Sequence, residues 1–436
     1  MSERLKVKSW IATTPGRPWR RMSAPQRAPR TRPNLRLDGR RDQVWEGFGG
    51  CFNELGWIAL KSLSAAARGK VMDALFGPRE SCRFNLCRLP IGASDYAAEW
   101  YSHNETPGDY AMKHFSIARD RDYLLPYIRM ALARRADLTL FASPWSPPTW
   151  MKSPRAYNSG RIIWEPKVLR AYALYFARFV KAYGRAGVAI HQIHMQNEPL
   201  ADQKFPSCLW TGEQMRDFLR DYLGPTFRRE KLDTELWLGT LNTDDFDGYP
   251  LTVLSDARAR RYISGVGFQW AGKGAVQRTH ACWPDLRLMQ TENECGDGCN
   301  TWQYAGYVFN LAQHYITNGV NAYVYWNMVL PEGGRSTWGW LQNSLVTVDV
   351  GKGKATFTPE FHVMKHFSRY IRPGAVRLLL TGHWAGSAVA FENPDGRTVL
   401  VVRNPLGDAQ PLCFEAGGRT VAITMEPDSI NTLVLA

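Results

Sequence analysis

Residues 190–199 read Ile-His-Gln-Ile-His-Met-Gln-Asn-Glu-Pro, and an amphipathic stretch, Gly212–Arg229, follows them. The run is short, contains β-branched residues and is bounded by Pro199, which predicts a strand over Ile190–Gln196. The spacing of apolar residues in the second stretch predicts a helix. Together the two form one β/α unit, whose connecting loop begins with two polar residues, Asn197 and Glu198.

The same unit recurs along the chain. The other predicted strands are Val44–Phe52, Cys82–Leu89, Asp137–Ala142, Glu235–Thr240, Tyr262–Gln269, Arg287–Thr291 and Asn321–Trp326. Further amphipathic stretches lie at Tyr123–Arg135, Val168–Tyr183 and Trp302–Asn318. Eight strands that alternate with helices over about 280 residues predict an α/β fold, a closed (β/α)8 TIM barrel over residues 44–373.

The sequence changes character after Pro373. Short β-branched runs follow at Val376–Leu380, Ser387–Glu392, Thr398–Arg403, Leu412–Glu415, Thr420–Met425 and Asn431–Leu435. Turn residues such as Asn393-Pro394-Asp395-Gly396 separate them, which predicts a small antiparallel β-sandwich domain over residues 374–436. The run Lys6–Thr13 is a candidate for one more strand of that domain, which would be built mainly from the C-terminus.

The net charge of +14 is concentrated at the N-terminus. Residues 1–41 contain twelve basic and two acidic side chains, so the rest of the chain carries only +4. We therefore treat residues 1–43 as a basic N-terminal arm, either a solvated tail or edge segment or a polyanion-binding arm. The first alternative is favoured, and we expect no nucleic-acid partner.

Targeting signals are absent from the sequence as given. No apolar run reaches the ~20 residues of a membrane span, and residues 1–30 lack the apolar stretch of a secretory signal. The expected location is the cytoplasm, or the periplasm or exterior if a leader is missing. The eight cysteines are too dilute for a disulfide scaffold, so we expect most to be reduced core residues, with the pairing of Cys295 and Cys299 left open.

Two carboxylates stand at the ends of predicted strands that face each other across the barrel, Glu198 after the fourth and Glu292 after the seventh. Barrel enzymes carry their catalytic groups at these C-terminal strand ends. A retaining glycosidase needs two carboxyl groups about 5–5.5 Å apart on either side of the glycosidic bond. The sequence therefore predicts a retaining β-glycosidase, with Glu198 and Glu292 as its catalytic pair.

Asn197 is suited to bind a sugar 2-hydroxyl beside the acid. Regular strand alternation would point Asn197 and Glu198 to opposite faces, so both reach the pocket only if the strand twists or bulges there. Pro199, which ends the pairing, permits this distortion.

Several motifs occur in an order that resembles glycoside hydrolase family 30, which includes the glucosylceramidases and the endo-β-1,6-glucanases. They are Gly-Phe-Gly-Gly-Cys-Phe-Asn-Glu (47–54), Arg-Leu-Pro-Ile-Gly-Ala-Ser-Asp-Tyr (88–96), Ser-Pro-Trp-Ser-Pro-Pro-Thr-Trp-Met-Lys (143–152), Gln-Asn-Glu-Pro (196–199), Thr-Glu (291–292), Trp-Asn (326–327) and Phe-Ser-Arg-Tyr-Ile-Arg-Pro-Gly-Ala (367–375). The resemblance spans roughly residues 44–375.

The resemblance implies a role for each matching residue. Glu198 is the acid/base, Glu292 is the nucleophile and Asn197 is the partner of the 2-hydroxyl. The other implied binding residues are Arg88, which orients the nucleophile, and the sugar-binding residues Asp95, Trp145, Trp270, Trp326 and Asn343. No metal and no cofactor is expected, because the reaction needs only carboxylates and water.

Two positions depart from the family pattern. The sixth strand of the glucosylceramidases ends in a His-Trp-Tyr type sequence whose Tyr contacts the nucleophile, whereas this chain has Gln269-Trp270-Ala271. Glu54 stands where an Asp is often found. Either another side chain replaces the missing phenol, or the surroundings of the nucleophile differ.

Other candidate residues have simpler interpretations. His191 and His194, three apart on a strand, point to opposite faces and cannot share a metal ion. Glu294 lies beyond the strand end, in a loop. Trp338 and Trp340 either form a platform for a sugar beyond the cleavage point or pack their own loop.

The leading hypothesis is an exo-acting β-glucosidase or glucosylceramidase-like hydrolase whose substrate is a β-linked glucoside or oligosaccharide. An endo-β-1,6-glucanase with the same machinery is the alternative, and a non-catalytic carbohydrate-binding protein is a remote one. A pocket for a single sugar favours the exo-acting enzyme, whereas an open cleft with additional aromatic platforms favours the endo-acting one.

Overall fold

The computed structural model describes residues 3–23 and 32–436, and its centre is a closed barrel of eight parallel strands. We number these strands β1 to β8: Gly47–Cys51, Leu86–Ile91, Thr139–Pro144, Gln192–His194, Glu235–Leu241, Ile263–Gln269, Arg287–Glu292 and Ala322–Asn327. Pairing of β8 with β1 closes the ring, for example between Ala322 and Gly47. The predicted (β/α)8 barrel is confirmed.

The strand boundaries differ from the prediction, most clearly at β1, at β2, which was predicted over Cys82–Leu89, and at β4. Residues Leu35–Val44 form a strand of the sandwich, and the chain crosses to the barrel at Trp45 and Glu46 before β1 begins. Trp45 is fully buried between Phe48 and Phe391, at ring distances of 4.5 and 5.5 Å, and this contact joins the two domains. Strand β4 is also shorter than predicted, since its regular pairing ends at His194.

Helices connect the barrel strands and cover the outside. Their bounds are Glu54–Ser62, Ala65–Phe76, Leu124–Leu132, Pro166–Arg185, Gly212–Phe218, Gly224–Arg229, Thr252–Leu254, Ala257–Arg260, Val276–Cys282, Trp302–Thr317 and Pro359–Ser368. A wider turn, Leu219–Leu223, joins the fifth and sixth. Local signals start several of them: Thr211 and Gln214 form a reciprocal capping box, and Pro166 occupies the first turn of its helix.

The interior of the barrel is packed with large side chains below its C-terminal end. Phe141, His194 and Trp237 are fully buried, and the rings of His194 and Trp237 stack at 5.0 Å with an interplanar angle of 11°. A filled interior is typical of this fold and leaves the C-terminal strand ends for chemistry. Two small sheets lie at that end. One pairs Lys152–Ser153 with Arg161–Ile162, and the other contains Val329–Pro331, Val346–Asp349 and Lys354–Phe357.

The second domain is a β-sandwich formed by one continuous sheet of ten strands. Their order is Glu3–Arg4, Arg419–Met425, Gln410–Ala416, Leu35–Val44, Val376–Gly382, Ala388–Glu392, Thr398–Asn404, Ser429–Leu435, Val7–Thr14 and Arg17–Arg21. Leu35, Leu400, Phe414 and Leu433 are among the residues of its own buried core. The sandwich predicted from the C-terminal sequence is confirmed.

The N-terminal basic segment takes part in this sandwich. Strand Val7–Thr14 pairs antiparallel with Ser429–Leu435, so both ends of the chain lie side by side. Arg17 and Arg20 form ion pairs with Glu426, and similar pairs join Arg36 to Glu415 and Arg41 to Glu392. Arg27 and Arg30 of the predicted arm lie outside the described residues.

The eight cysteines are free thiols in the described structure. Among the described residues no two cysteines are joined in a disulfide; Cys282 and Cys299 are exposed and the other six are buried. Across residues 3–23 and 32–436, no helix combines the length and the apolar character that crossing a membrane requires.

Candidate active site

A cavity of about 350 Å³ opens at the C-terminal ends of the barrel strands. Its lining residues are Asp95, Trp145, Asn197, Glu198, Gln203, Phe205, Asn242, Trp270, Glu292, Trp340 and Gln342. Six of the nine residues chosen from the sequence are in this set. Two others stand directly behind it: Arg88 contacts Glu292, and Trp326 packs on Trp145 at 5.3 Å. Asn343 is not in the cavity wall.

The backbone after β4 turns so that two successive side chains face the cavity. Glu198 adopts φ of +48°, a left-handed conformation that is uncommon for a residue with a side chain. Its backbone N–H donates to Thr240 O at 3.0 Å, while Asn197 N–H donates to Pro144 O on the other side at 2.8 Å. The distortion that lets both side chains reach the cavity is therefore present. Its backbone strain costs of order 1–3 kcal/mol, which contacts with the neighbouring strands must offset.

Glu292 is the last residue of β7, and three side chains donate hydrogen bonds to its carboxylate. Arg88 Nη1 lies 2.8 Å from Oε2, Gln269 Nε2 lies 3.2 Å from Oε2, and Trp270 Nε1 lies 3.1 Å from Oε1. Trp270 also has a left-handed φ of +48°, which turns its indole into the site. This indole N–H supplies a hydrogen bond from the turn where the family pattern has a phenol and this chain has Ala271.

Gln269 links the two carboxylates. Its Oε1 accepts from Arg88 Nη1 at 3.2 Å and from Thr291 Oγ1 at 3.0 Å. Arg88 can only donate, so the amide oxygen must face it and the amide nitrogen must face the acids. Nε2 then lies 3.0 Å from Glu198 Oε1 and 3.2 Å from Glu292 Oε2. Sequence reasoning noted Gln269 as a departure from a pattern and missed this role.

Arg88 organises the floor of the site. It is fully buried in the middle of β2, and its Nη2 donates to Asn197 Oδ1 at 2.6 Å and to Ser143 Oγ at 2.8 Å. Its guanidinium lies 4.5 Å from the ring of Trp145 and 5.2 Å from that of Trp326. Because Asn197 Oδ1 is held in this way, its Nδ2 is the amide group left for a ligand. Ser143 was not predicted from the sequence.

The two glutamates differ in the groups that shift their pKa values. Burial, together with the charge of Glu292, raises the pKa of Glu198 to about 8, and one donor, Gln269, opposes this. Burial also raises the pKa of Glu292, but Arg88, Trp270 and Gln269 all oppose it by stabilising the carboxylate. A proton shared by the pair therefore resides on Glu198, and Glu292 carries the negative charge.

Several buried polar atoms around the cavity have no hydrogen-bond partner among the described residues. They include Asp95 Oδ1, Trp326 Nε1 and Trp340 Nε1. Leaving a buried polar group unpaired costs about 1–3 kcal/mol. Asp95 lines the cavity beside the flat apolar face of Trp145, so its oxygen is an acceptor suited to a hydroxyl group, whereas Trp326 packs behind that wall.

Comparison with known proteins assigns the chain to a family. The sequence model of the glycosyl hydrolase family 30 TIM-barrel domain matches residues 45–371, and that of the family's β-sandwich domain matches residues 374–433. The chain belongs to glycosyl hydrolase family 30. It is therefore a glycoside hydrolase, as the sequence predicted.

Relatives within family 30 carry different names. Lysosomal acid glucosylceramidase of Mus musculus is 29% identical over 427 residues, which cover 89% of this chain and 81% of the relative. Endo-1,6-beta-D-glucanase of Neurospora crassa is 27% identical over 420 residues, covering 91% and 86%. The crystal structure of SrfJ from Salmonella typhimurium superimposes with a TM-score of 0.89 at 25% identity, covering 98% of both chains.

One predicted sugar-binding residue of this family 30 enzyme has another role. The side chain of Asn343 donates to Glu360 at 2.6 Å and accepts from the backbone N–H groups of Gly298 and Asn300. These buried contacts use its oxygen and nitrogen to fix the loops after β7 and β8. The sugar-binding role of Asn343 therefore stays a prediction, since its side chain is engaged in these contacts and the preceding Gln342 lines the cavity.

The two tryptophans of the loop after β8 have different surroundings. Trp340 lines the cavity beside Phe205, at a ring distance of 6.1 Å. Trp338 packs against Trp100 at 4.8 Å and does not line it. Sequence reasoning missed three further cavity residues. Asn242 could have been predicted, because it directly follows the end of β5. Gln203 and Phe205 lie within an irregular loop, where no strand end marks them.

The remaining candidates have structural contacts. His194 is buried in the barrel interior, while His191 Nδ1 accepts from the backbone of Leu140 at 3.0 Å, so the two histidines do not converge. Glu294 forms an ion pair with Lys273 and accepts a hydrogen bond from Tyr307, outside the cavity. Within the described residues no group of His, Cys, Asp and Glu is arranged to hold a metal ion.

Proposed function

We propose that this family 30 enzyme is a retaining β-glycoside hydrolase that acts by double displacement. The observation that carries the proposal is the bridge formed by Gln269, whose Nε2 lies within 3.2 Å of one oxygen of Glu198 and one of Glu292. Those two oxygens are therefore at most about 6 Å apart, which favours the ~5–5.5 Å carboxyl spacing of a retaining enzyme over the ~6.5–9.5 Å spacing of an inverting one.

Each glutamate has the protonation state that its role requires. Glu292, ionised and held by Arg88 and Trp270, attacks the anomeric carbon and forms the glycosyl-enzyme bond. Glu198 carries the proton at neutral pH and donates it to the leaving oxygen. In the second step the ionised Glu198 takes a proton from water, which attacks the anomeric carbon and releases Glu292.

The groups beside this pair suit a sugar ring. Asp95 Oδ1 accepts from hydroxyl groups, and Trp145 provides an apolar wall with Trp326 packed behind it. Asn197, with its oxygen held by Arg88, presents its nitrogen to the 2-hydroxyl next to the reacting carbon. Hydrogen bonds at that hydroxyl strengthen in the transition state.

We further infer exo action on a β-glucoside, as in a β-glucosidase or glucosylceramidase. The cavity volume of about 350 Å³ is at the small end of the ~300–1,000 Å³ common for ligand pockets. Endo action on a β-1,6-glucan is the second candidate. It is supported by the aromatic wall of Trp340 and Phe205, on which a further sugar can stack, and by the similarity to the Neurospora enzyme.

A hydrolysis panel tests both candidates. We expect aryl β-glucoside and glucosylceramide to be cleaved with a higher kcat/KM than aryl β-xyloside, aryl β-fucoside and linear β-1,6-glucan, with the β-anomer as the first product. Rapid shortening of β-1,6-glucan with weak activity on aryl β-glucoside would establish the endo alternative. Release of the α-anomer would reject the retaining mechanism, and no hydrolysis of any substrate in the panel would reject both candidate substrates.

A further inference from the structure

Four arginines surround a second cavity, of about 200 Å³, at the opposite end of the barrel. The four are Arg83, Arg135, Arg369 and Arg372. Arg83 precedes β2, Arg135 precedes β3, and the other two follow the last helix, so the cavity lies at the N-terminal strand ends. Pro394, in a turn of the sandwich, completes the wall. The cavity is thus at the junction of the two domains, away from the glutamate pair.

The positive charge around this cavity is only partly balanced. Arg135 pairs with Asp137, Arg369 with Glu80 and Arg372 with Asp395. The side chains of Asp137 and Glu80 are 76% and 63% exposed, so water screens these two pairs strongly. No carboxylate pairs with the fourth arginine, Arg83, anywhere in the described part of the chain.

Arg83 is held among like charges. Its side chain is half-buried, and its guanidinium has no hydrogen-bond partner within residues 3–23 and 32–436. Burial and the charges of Arg135, Arg369 and Arg372 together lower its pKa. Similar charges gathered in a concave, partly desolvated space repel each other unless an anion lies between them.

A second observation concerns Arg369. Its Nη2 donates to Glu80 at 2.9 Å, but Nε and Nη1 are buried and have no partner among the described residues. Buried guanidinium donors are almost always paired, and an unpaired one in a native structure calls for an explanation such as a bound ion. Arg369, which carries these unsatisfied donors, and Arg83, whose charge is unpaired, both line this cavity.

We propose that this cavity binds a phosphate group through the four guanidinium groups of Arg83, Arg135, Arg369 and Arg372. The planar fork of arginine fits tetrahedral oxyanions, and a dianion offers enough acceptors for several such forks. The bound group connects residues of the barrel with those that lead into the sandwich, and so it stabilises the domain junction. The ligand is either a free phosphate ion or the headgroup of a phospholipid, which share this chemistry.

Thermal unfolding of the full chain tests the site. Inorganic phosphate is added to a phosphate-free buffer while sodium chloride keeps the ionic strength constant. We expect saturating phosphate to raise Tm by about 3 °C, as binding to the folded state alone requires. The variant Arg83→Gln should lose this shift, while Arg258→Gln, which removes the same charge from a 71% exposed position outside the cavity, should keep it.

A second arm identifies the source of the phosphate group. Cosedimentation compares vesicles of phosphatidylcholine with vesicles that also contain phosphatidic acid. Binding to the second kind alone, lost in Arg83→Gln, assigns the site to a lipid headgroup, and a phosphate-dependent Tm shift without vesicle binding assigns it to the free ion. Failure of both, or equal responses of wild type and Arg83→Gln, overturns the proposal.

The Tm of Arg83→Gln in the absence of phosphate is a control for the folding of this variant. Because Arg83→Gln relieves repulsion among guanidinium groups, its Tm in phosphate-free buffer should equal or exceed that of the wild type. Its hydrolysis of an aryl β-glucoside should be unchanged, since the cavity is at the other end of the barrel. A Tm lowered without phosphate would show a purely structural role for Arg83 and would contradict the proposal.

Discussion

Gln269 donates a hydrogen bond of 3.0 Å to Glu198, across the two-strand interval that separates β6 from β4. The same nitrogen lies 3.2 Å from Glu292, so one amide holds both carboxylates of the site. An amide has no charge at any pH. The ionisation of the glutamate pair therefore depends on burial, on Arg88, on the donors Gln269 and Trp270, and on the carboxyl of Asp95, whose own pKa is raised by burial and by both glutamates.

Replacing Gln269 with Leu tests this positioning role. The amide favours the ionised form of both acids, so its removal should raise the pKa of Glu198 and of Glu292 together. The whole bell-shaped profile of kcat/KM should move to higher pH, and kcat at the new optimum should fall about tenfold to a hundredfold, the equivalent of one charge-assisted hydrogen bond.

The control for this variant is Gln203→Leu. Gln203 lines the cavity, but its side chain has no hydrogen bond to either carboxylate. We expect its KM to change while the pH limbs stay where they are. A profile of Gln269→Leu that loses height without moving would assign Gln269 to packing alone.

The variant Glu292→Gln should reduce kcat at least about a thousandfold, because the amide cannot displace the leaving group. It should also fail to form the covalent adduct with a 2-fluoro glycoside, as intact-mass measurement would show. Glu294→Gln is the matched control two residues away. Within the described structure the carboxylate of Glu294 pairs with Lys273 and Tyr307, away from the cavity, so activity and trapping should remain within a few-fold of the wild type. Labelling of Glu292→Gln would reject the nucleophile assignment.

Glu198→Ala should separate substrates by their leaving groups. Aryl glycosides with acidic phenols depart without proton donation, so they should lose far less activity than alkyl glycosides. In the wild type, activity should fall as pH rises through about 8, because Glu198 then loses the proton that it must donate. This basic limb should vanish in Glu198→Ala with an activated substrate. Equal losses on both substrate classes would count against the acid/base role.

The barrel and the glutamate pair were predictable because they depend on local patterns. Each strand is a short β-rich run before a polar loop, and strand ends determine which residues can meet at the mouth of the barrel. The start of β1 was not predictable in the same way. The sandwich strand Leu35–Val44 continues into Gly47–Cys51 after only two residues, and no local feature marks the change of sheet.

The directions of side chains within loops could also not be predicted without knowledge of the fold. Gln342 and Asn343 are adjacent polar residues, and the cavity receives the first because Glu360 and the loop at Gly298 bind the second. Those partners lie 17 and 45 residues away in sequence. The orientation of Gln269 depends in turn on Arg88, which belongs to a strand on the far side of the barrel. Contacts of this kind leave no trace in a single sequence.

Trp270→Phe examines the hydrogen bond from the indole of Trp270 to Glu292. The variant keeps an aromatic wall and removes only the indole N–H that lies 3.1 Å from Glu292 Oε1. This donor favours the carboxylate, so without it the pKa of Glu292 should rise and the acidic limb of kcat/KM should move to higher pH. The basic limb, which reports Glu198, should stay in place.

Trp340→Phe is the control for the expected shift of the acidic limb in Trp270→Phe. Trp340 lines the same cavity, but its Nε1 is buried without a hydrogen-bond partner in the described structure, so the substitution removes indole and no contact to the acids. It should alter KM for substrates with bulky leaving groups and leave both limbs unmoved. If Trp270→Phe and Trp340→Phe gave the same pH profile, the indole of Trp270 would be a wall of the cavity and not a support of the nucleophile.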